Sequence, residues 1–246
     1  IRSWEPRIIA RTVALALAGG IAASIPLFAY NLAVFGHPFQ TGYSGVVGFE
    51  GMRQGLFGLT YPKPGILWDI LAGKRRGMVW VAPVLVLGLF GIWTLLRDPA
   101  RRDIGAVVAA GAVTALLYNA SYVYWDGGNS TGPRHALPAA AYLAIGLAAF
   151  WASASRAEKW LGTGFLAASI AINLAITATE VQAPHSFTAP LTQHIWPKFR
   201  AGEIRTLPNE FWGWSPWAGL GLYLALAALL AALLAWAWRP MRMNRG

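Results

Sequence analysis

Cysteine is absent from this chain of 246 residues, and charged residues are scarce. Without cysteine there is no disulfide, no thiolate nucleophile and no cysteine-ligated zinc site. Only 12% of the residues are charged and 56% are hydrophobic, whereas about a quarter of a soluble domain is charged. Because so little charge cannot cover a surface that faces water, the composition predicts a membrane protein.

Several large function classes also lack their motifs here. No Walker loop, dinucleotide fingerprint, nucleophile elbow or zinc-protease helix occurs. No predicted span has a charged residue at its centre, which argues against a proton relay or voltage sensor. We therefore predict no cofactor, and a divalent metal is not supported because the histidines lack ligand spacing. They are His37, His135, His185 and His194.

Long apolar runs are the main positive feature of the sequence. They extend over about 18 to 23 residues, enough to cross a hydrocarbon core of roughly 30 Å as helices. Period-2 alternation is missing, so a barrel is not expected. We predict an all-α fold, a polytopic transmembrane helical bundle of about six spans that forms a single domain over 1–246. The spans are 12–35, 78–96, 104–124, 136–154, 160–179 and 216–238.

The basic residues predict the orientation. Eleven of the twenty lie in four short segments: before the first span, between the second and third, between the fourth and fifth, and after the sixth. The positive-inside rule places these segments, and with them both termini, in the cytoplasm. The net charge of +10 is concentrated at span ends, which favours anionic lipid headgroups over nucleic acid as the partner.

Three loops on the outer face carry nearly all of the remaining chain: 36–77, 125–135 and 180–215. They are rich in aromatic residues, which prefer the membrane interface. We expect short interfacial helices there, around 66–71 and 191–199. One basic cluster lies on this face, against the general trend, and we interpret it as contacting lipid phosphates or a phosphorylated ligand. It consists of Lys74, Arg75 and Arg76.

The loop before the fourth span combines an acid, a guanidinium, an imidazole and several glycines. Glycines permit backbone donors to converge on an anion, and Arg134 can hold a phosphate or carboxylate with two hydrogen bonds. Asp126 could pair with Arg134 or act as a base, and His135 lies beside it. The alternative is a tight turn, capped by Asp126, with Arg134 reaching the lipid headgroups.

Asn31 is a polar residue near the outer end of the first span. An unpaired amide in lipid costs several kcal/mol, so Asn31 needs a partner. Either a ligand or another helix could provide it.

Three groups of short motifs occur in order along the chain. They are Tyr30-Asn31 with Phe35-Gly36-His37-Pro38 and Gly42-Tyr43; Arg76-Gly77-Met78 with Ala82-Pro83; and Trp125-Asp126-Gly127-Gly128 with Gly132-Pro133-Arg134-His135 and Pro138. In these motifs, over residues 1–155, the chain resembles the C-terminal half of bacterial type C glycosyltransferases. That group includes protein mannosyltransferase-like and lipid A aminoarabinose transferase-like enzymes.

The resemblance implies an enzyme of the bacterial inner membrane that takes a sugar from a polyprenyl-phosphate donor on the outer face. The catalytic acid of the group lies in an earlier outer loop, so we expect a fragment without its catalytic half. What remains would be donor-side residues, with Arg134 and the basic cluster as phosphate contacts. The alternative is a non-catalytic transmembrane subunit that scaffolds a larger membrane complex or docks a partner through its outer loops.

Overall fold

The structure is a computed structural model that describes residues 5–40 and 42–243. The predicted cytoplasmic termini, with Arg2 and Arg245, lie outside these residues. The described chain is helical and contains no β-strand beyond two isolated bridges. The chain divides after Thr60 into two units. The helices are α1 (Pro6–Phe35), α2 (Pro64–Leu71), α3 (Met78–Val81), α4 (Leu85–Arg97), α5 (Arg102–Ser121), α6 (Leu137–Ser153), α7 (Arg156–Thr179), α8 (Trp196–Ala201), α9 (Leu207–Trp212) and α10 (Pro216–Met243).

Within residues 5–40 and 42–243, five helical segments are long and apolar enough to cross a membrane, by length and composition. They are Pro6–Phe35, Arg102–Ser121, Arg134–Ser153, Arg156–Thr179 and Pro216–Ala237. Each overlaps a predicted span. The fifth predicted span begins earlier than expected, at Arg156, because Ser155 and Glu158 form a capping box that starts α7 there.

The second predicted span, 78–96, is not one helix. It is divided into α3 and α4, because Pro83 cannot donate a backbone hydrogen bond. Side chains of α7 satisfy the groups that the break exposes: Asn173 donates from Nδ2 to the Val81 carbonyl oxygen at 2.7 Å, and the Ser169 hydroxyl accepts from the Val84 N–H at 3.0 Å. Neighbouring helices commonly satisfy a proline break in this way.

In the first unit, α1 ends at Gly36, which takes a left-handed conformation with φ 74°. Asn31 is buried and donates to the Pro38 carbonyl oxygen at 3.1 Å, so it ties the end of α1 to the segment that follows. Among the described residues, the partner of Asn31 is thus the local backbone and not another helix.

In the second unit, glycines let α4 and α6 approach closely. A Cβ on Gly91 would lie 1.7 Å from the Gly146 carbonyl oxygen, and one on Gly88 would lie 2.3 Å from the Leu143 carbonyl oxygen. Such small-residue contacts are typical of helices packed in membranes. Helix α5 joins this pair, and the shared apolar core includes Ile92, Val108 and Leu143.

The loops contain short helices at the positions predicted near 66–71 and 191–199. The first is α2; the second is a π-helical turn, Leu191–Ile195, that continues into α8. Helix α9 was not predicted, although Thr206 as N-cap followed by Pro208 is a helix-start signal. The placement of these helices at a membrane surface stays a prediction.

Candidate functional site

The loop between α5 and α6, residues 122–136, contains two glycines with left-handed backbone conformation. Gly127 and Gly128 have φ values of 69° and 68°. A Cβ on Gly127 would also lie 2.7 Å from Cγ of Arg134, whereas one on Gly128 would meet nothing nearer than 4.0 Å. The backbone conformation therefore favours glycine at 127, and a Cβ there would also displace the Arg134 side chain.

The Arg76 side chain holds this loop in place through hydrogen bonds. Its side chain donates to three carbonyl oxygens: Nε to Asp126 at 3.0 Å, Nη2 to Gly128 at 2.8 Å and Nη1 to Arg75 at 3.0 Å. Arg76 is only 1% exposed, and burial lowers the pKa of its guanidinium while the charge of Asp126 opposes that shift. Protein encloses the Arg76 side chain, and its described hydrogen bonds all go to backbone carbonyl oxygens, a geometry that does not favour the expected phosphate contact.

Asp126 is the acid of the loop, and its partners are not those expected. Its Oδ2 lies 3.1 Å from Nη2 of Arg75 and 3.3 Å from Nδ1 of His185. A pair with Arg134, one of the two roles considered for Asp126, is absent from the described residues. Asp126 thus neutralises Arg75, the half-exposed member of the basic cluster, and leaves Arg134 uncompensated.

The segment after α7 pairs with the loop from the other side. The N–H of Thr131 donates to the Val181 carbonyl oxygen at 3.2 Å, and the N–H of Ala183 donates to that of Asn129 at 2.6 Å. These bonds form a short β-bridge between Ser130 and Gln182. The loop is therefore held by the segment after α7 as well as by Arg76.

The segment is anchored in turn by Glu180, at the end of α7. Its Oε2 accepts from Nζ of Lys198 at 2.7 Å and lies 3.0 Å from Nε2 of His194. The hydrogen bonds from Lys198 and His194 hold the pKa of the Glu180 carboxyl below its ordinary value. The Glu180 carboxylate therefore connects α8 to the segment after α7, which in turn pairs with the loop.

A cavity of about 610 Å³ lies beneath the loop. Its apolar wall comes from α3, α6 and α7, and its polar residues come from the loop, from the segment after α7 and from Asn173 of α7. The apolar residues include Met78, Val81, Leu137, Ala140 and Ile176, and the polar ones Asn129, Ser130, Arg134, Asn173 and Gln182. Such a cavity suits a ligand that is apolar at one end and polar at the other.

Arg134 lines this cavity where the loop enters the 3₁₀ turn that precedes α6. Its side chain is exposed and has no hydrogen bond or ion pair with any described residue. Nor does any Asp or Glu line the cavity among the described residues. An unneutralised guanidinium beside an apolar wall favours an anionic group, which it can hold with two hydrogen bonds.

The remaining predicted residues lie elsewhere. His135 is half-buried, with its ring edge-on to Tyr122 at 5.4 Å between centroids. Lys74 lines a different cavity, together with Trp80 and residues 188, 189 and 191–193. Asn31 belongs to the first unit. Only Arg134, of the predicted site residues, lines the cavity beneath the loop.

Asn173 and Gln182 are cavity residues that sequence reasoning missed. Asn173 had a signal, since a polar residue within a span usually has a structural or binding role. Gln182 had none, because only the β-bridge with Ser130 brings it to the loop. The described residues contain no group of three or more His, Asp or Glu able to hold a metal.

Comparison of the chain with protein-family models, with curated proteins and with solved structures gives no match. The resemblance to type C glycosyltransferases therefore rests on the motifs alone.

Proposed function

We propose that this chain is the membrane-embedded part of a glycosyltransferase and that it binds a polyprenyl-phosphate sugar in the cavity beneath the loop, on the outer face of a bacterial inner membrane. The first isoprene units would contact the apolar wall, and the phosphate would be bound by Arg134. The catalytic acid is not expected among these residues.

One observation carries the proposal: an uncompensated arginine at the polar wall of a cavity whose other wall is apolar. A polyprenyl phosphate matches this cavity, because it has an apolar chain that ends in an anionic group. A charge-assisted contact of this kind contributes about 1.5–3 kcal/mol. The apolar wall adds about 25 cal/mol for each Å² of lipid surface that it covers.

The supporting residues would act through the loop. Arg76 holds the carbonyl oxygens of Asp126 and Gly128, and Asp126 holds Arg75. We infer that these contacts position the loop, whereas Arg134 contacts the ligand. Two members of the basic cluster, Arg75 and Arg76, would therefore have a structural role.

Direct lipid binding tests the proposal. The purified chain in nanodiscs is titrated with fluorescent farnesyl phosphate, and Arg134→Ala is compared with Arg200→Ala as control, because Arg200 is exposed but lines neither cavity. We expect Arg134→Ala to raise the Kd about tenfold or more. Arg134→Lys should have an intermediate effect, since an ammonium lacks the planar fork. Equal affinities for all variants would refute the site.

A non-catalytic subunit remains the second candidate, and the surface of α10 favours it. Only 11% of the most apolar window of this helix is buried, so nearly all of it is available to lipid or to another membrane protein. If the chain co-purifies in fixed stoichiometry with another membrane protein and binds no farnesyl phosphate, the subunit function replaces the glycosyltransferase.

A further inference from the structure

A second cavity, of about 420 Å³, lies beside the residues that precede α3. Lys74 and Trp80 line one side of it, and Thr188, Leu191, Thr192 and Gln193 line the other. None of these residues lines the cavity beneath the loop. The two cavities are therefore separate. Lys74 and Arg134 were both predicted from the sequence as phosphate contacts, but the two residues line different cavities.

Lys74 is the charged group of this second cavity. Its side chain is exposed, and no described residue forms a hydrogen bond or ion pair with it. The described lining also includes no Asp or Glu. Asp126 forms its ion pair with Arg75 and not with Lys74. The positive charge of Lys74 is therefore not compensated by Asp126.

Gln193 adds a donor whose direction is fixed by the fold. Its Oε1 accepts from the N–H of Ala189 at 2.9 Å and from the Thr188 hydroxyl at 3.4 Å. A backbone N–H can only donate, so the atom opposite it must be the amide oxygen. The Nε2 amino group of Gln193 has no acceptor among the described residues, so it is free to donate a hydrogen bond to a ligand in the cavity.

The backbone and the aromatic ring complete the geometry. Gln193 lies in the π-helical turn Leu191–Ile195, and single π turns occur frequently at functional sites. Trp80 donates from its indole nitrogen to the Ala72 carbonyl oxygen at 2.9 Å, which fixes the ring as an apolar wall. The free polar groups of Lys74 and Gln193 are thus donors, beside an apolar surface.

We propose that Lys74 and Gln193 form a second phosphate-binding site, separate from the cavity of Arg134. The ammonium supplies charge, the amide supplies a directed hydrogen bond, and the Trp80 ring contacts the apolar part that bears the phosphate. A phospholipid headgroup has this chemistry, and so does a soluble phosphate compound. The site does not depend on the glycosyltransferase proposal, because it uses other residues.

The test uses an Arg134→Ala background, which removes the charge of the first cavity. Native mass spectrometry measures dioleoyl phosphatidylglycerol retained by the full chain in detergent, and calorimetry measures inorganic phosphate. Lys74→Ala removes the charge. Gln193→Glu keeps an oxygen for Ala189 but replaces the free amino group with a second oxygen that repels anions. Lys63→Ala is the matched control, since Lys63 lies against Tyr61, outside both cavities.

We expect Lys74→Ala and Gln193→Glu each to weaken binding about three- to tenfold, with Lys63→Ala unchanged. An effect on phosphatidylglycerol alone assigns the site to lipid, and an effect on inorganic phosphate as well assigns it to a soluble phosphate. If both variants bind both probes as Lys63→Ala does, the proposal is overturned. Lys74 is exposed, so its variant decides the matter even if Gln193→Glu fails to fold.

Discussion

The Arg76 guanidinium donates from Nη2 to the Gly128 carbonyl oxygen at 2.8 Å, across 52 positions of sequence. Two further bonds, to the carbonyl oxygens of Asp126 and Arg75, engage the same side chain. A buried cation is costly unless its donors are satisfied, and here carbonyl dipoles and the nearby Asp126 satisfy them. The positive charge therefore organises the loop that positions Arg134.

Replacing Arg76 should destabilise the protein. Arg76→Lys retains the charge but cannot reach three carbonyl oxygens from one nitrogen, and Arg76→Ala leaves all three without this donor. We expect a loss of about 2–4 kcal/mol for Arg76→Ala and a smaller loss for Arg76→Lys. Thermal unfolding in nanodiscs measures it. Arg205→Ala is the control, because that exposed arginine makes a surface ion pair with Glu210 and should change stability by less than about 1 kcal/mol.

The two loop glycines provide a matched pair for the position of Arg134. Both have positive φ, so alanine at either should cost about 1–2 kcal/mol of strain. Only at Gly127 would the new Cβ lie 2.7 Å from the Arg134 side chain. We expect Gly127→Ala to displace that side chain and weaken farnesyl phosphate binding severalfold beyond Gly128→Ala. Equal affinities in the two variants, measured in the same nanodisc titration, would contradict this placement.

How far the sequence predicts this fold depends on how local each signal is. Run length and hydropathy are local, and they correctly indicated the long apolar helices. The capping box of Ser155 and Glu158, which sets the start of α7, is a local signal as well. The division at Pro83 carried a local signal as well, yet its tolerance depends on Asn173 and Ser169, which lie about 90 positions later in another helix.

The site was less predictable, because its partners are distant in sequence. Proximity in sequence suggested a pair between Asp126 and Arg134 as one possibility, whereas Asp126 pairs with Arg75, which lies 51 positions away. Likewise, three adjacent basic residues suggested one patch. In the structure Arg76 is enclosed, Arg75 is paired and Lys74 lines another cavity. The position of Arg134 beside a cavity could be predicted because glycines and an arginine before a helix form a local pattern, and its role in binding stays a prediction.

Acid should weaken the anchor at Glu180. Its carboxyl pKa is lowered in the folded state, so the carboxylate contributes stability above the ordinary value of 4.5 and loses it as the pH falls through the lower folded value. We expect the segment 181–203 to become more accessible to protease below about pH 4.5 in the native protein. In Glu180→Gln the segment should already be accessible at pH 7, with little further change on acidification. A time course with a protease that cleaves in both acidic and neutral solution, such as proteinase K, distinguishes the two patterns, with Glu210→Gln as control.

Orientation can be measured directly because the chain has no cysteine. The distribution of basic residues predicts that Ser186 lies outside and Ala100 inside. Both positions are exposed. In intact cells an impermeant maleimide should therefore label Ser186→Cys but should label Ala100→Cys only after permeabilisation. Labelling of Ala100→Cys in intact cells would reverse the orientation and move the cavity to the cytoplasmic face.

The central claim is that the cavity beneath the loop binds a lipid phosphate through Arg134, and photocrosslinking tests it most directly. A farnesyl phosphate with a diazirine on its first isoprene unit is irradiated with the chain in nanodiscs, and the labelled peptides are mapped. We predict crosslinks at the apolar wall, at Leu137, Ala140 or Ile176, and their loss in Arg134→Ala but not in Arg200→Ala. Crosslinks spread over the exposed surface of α10, or crosslinks at the wall that persist undiminished in Arg134→Ala, would contradict the account.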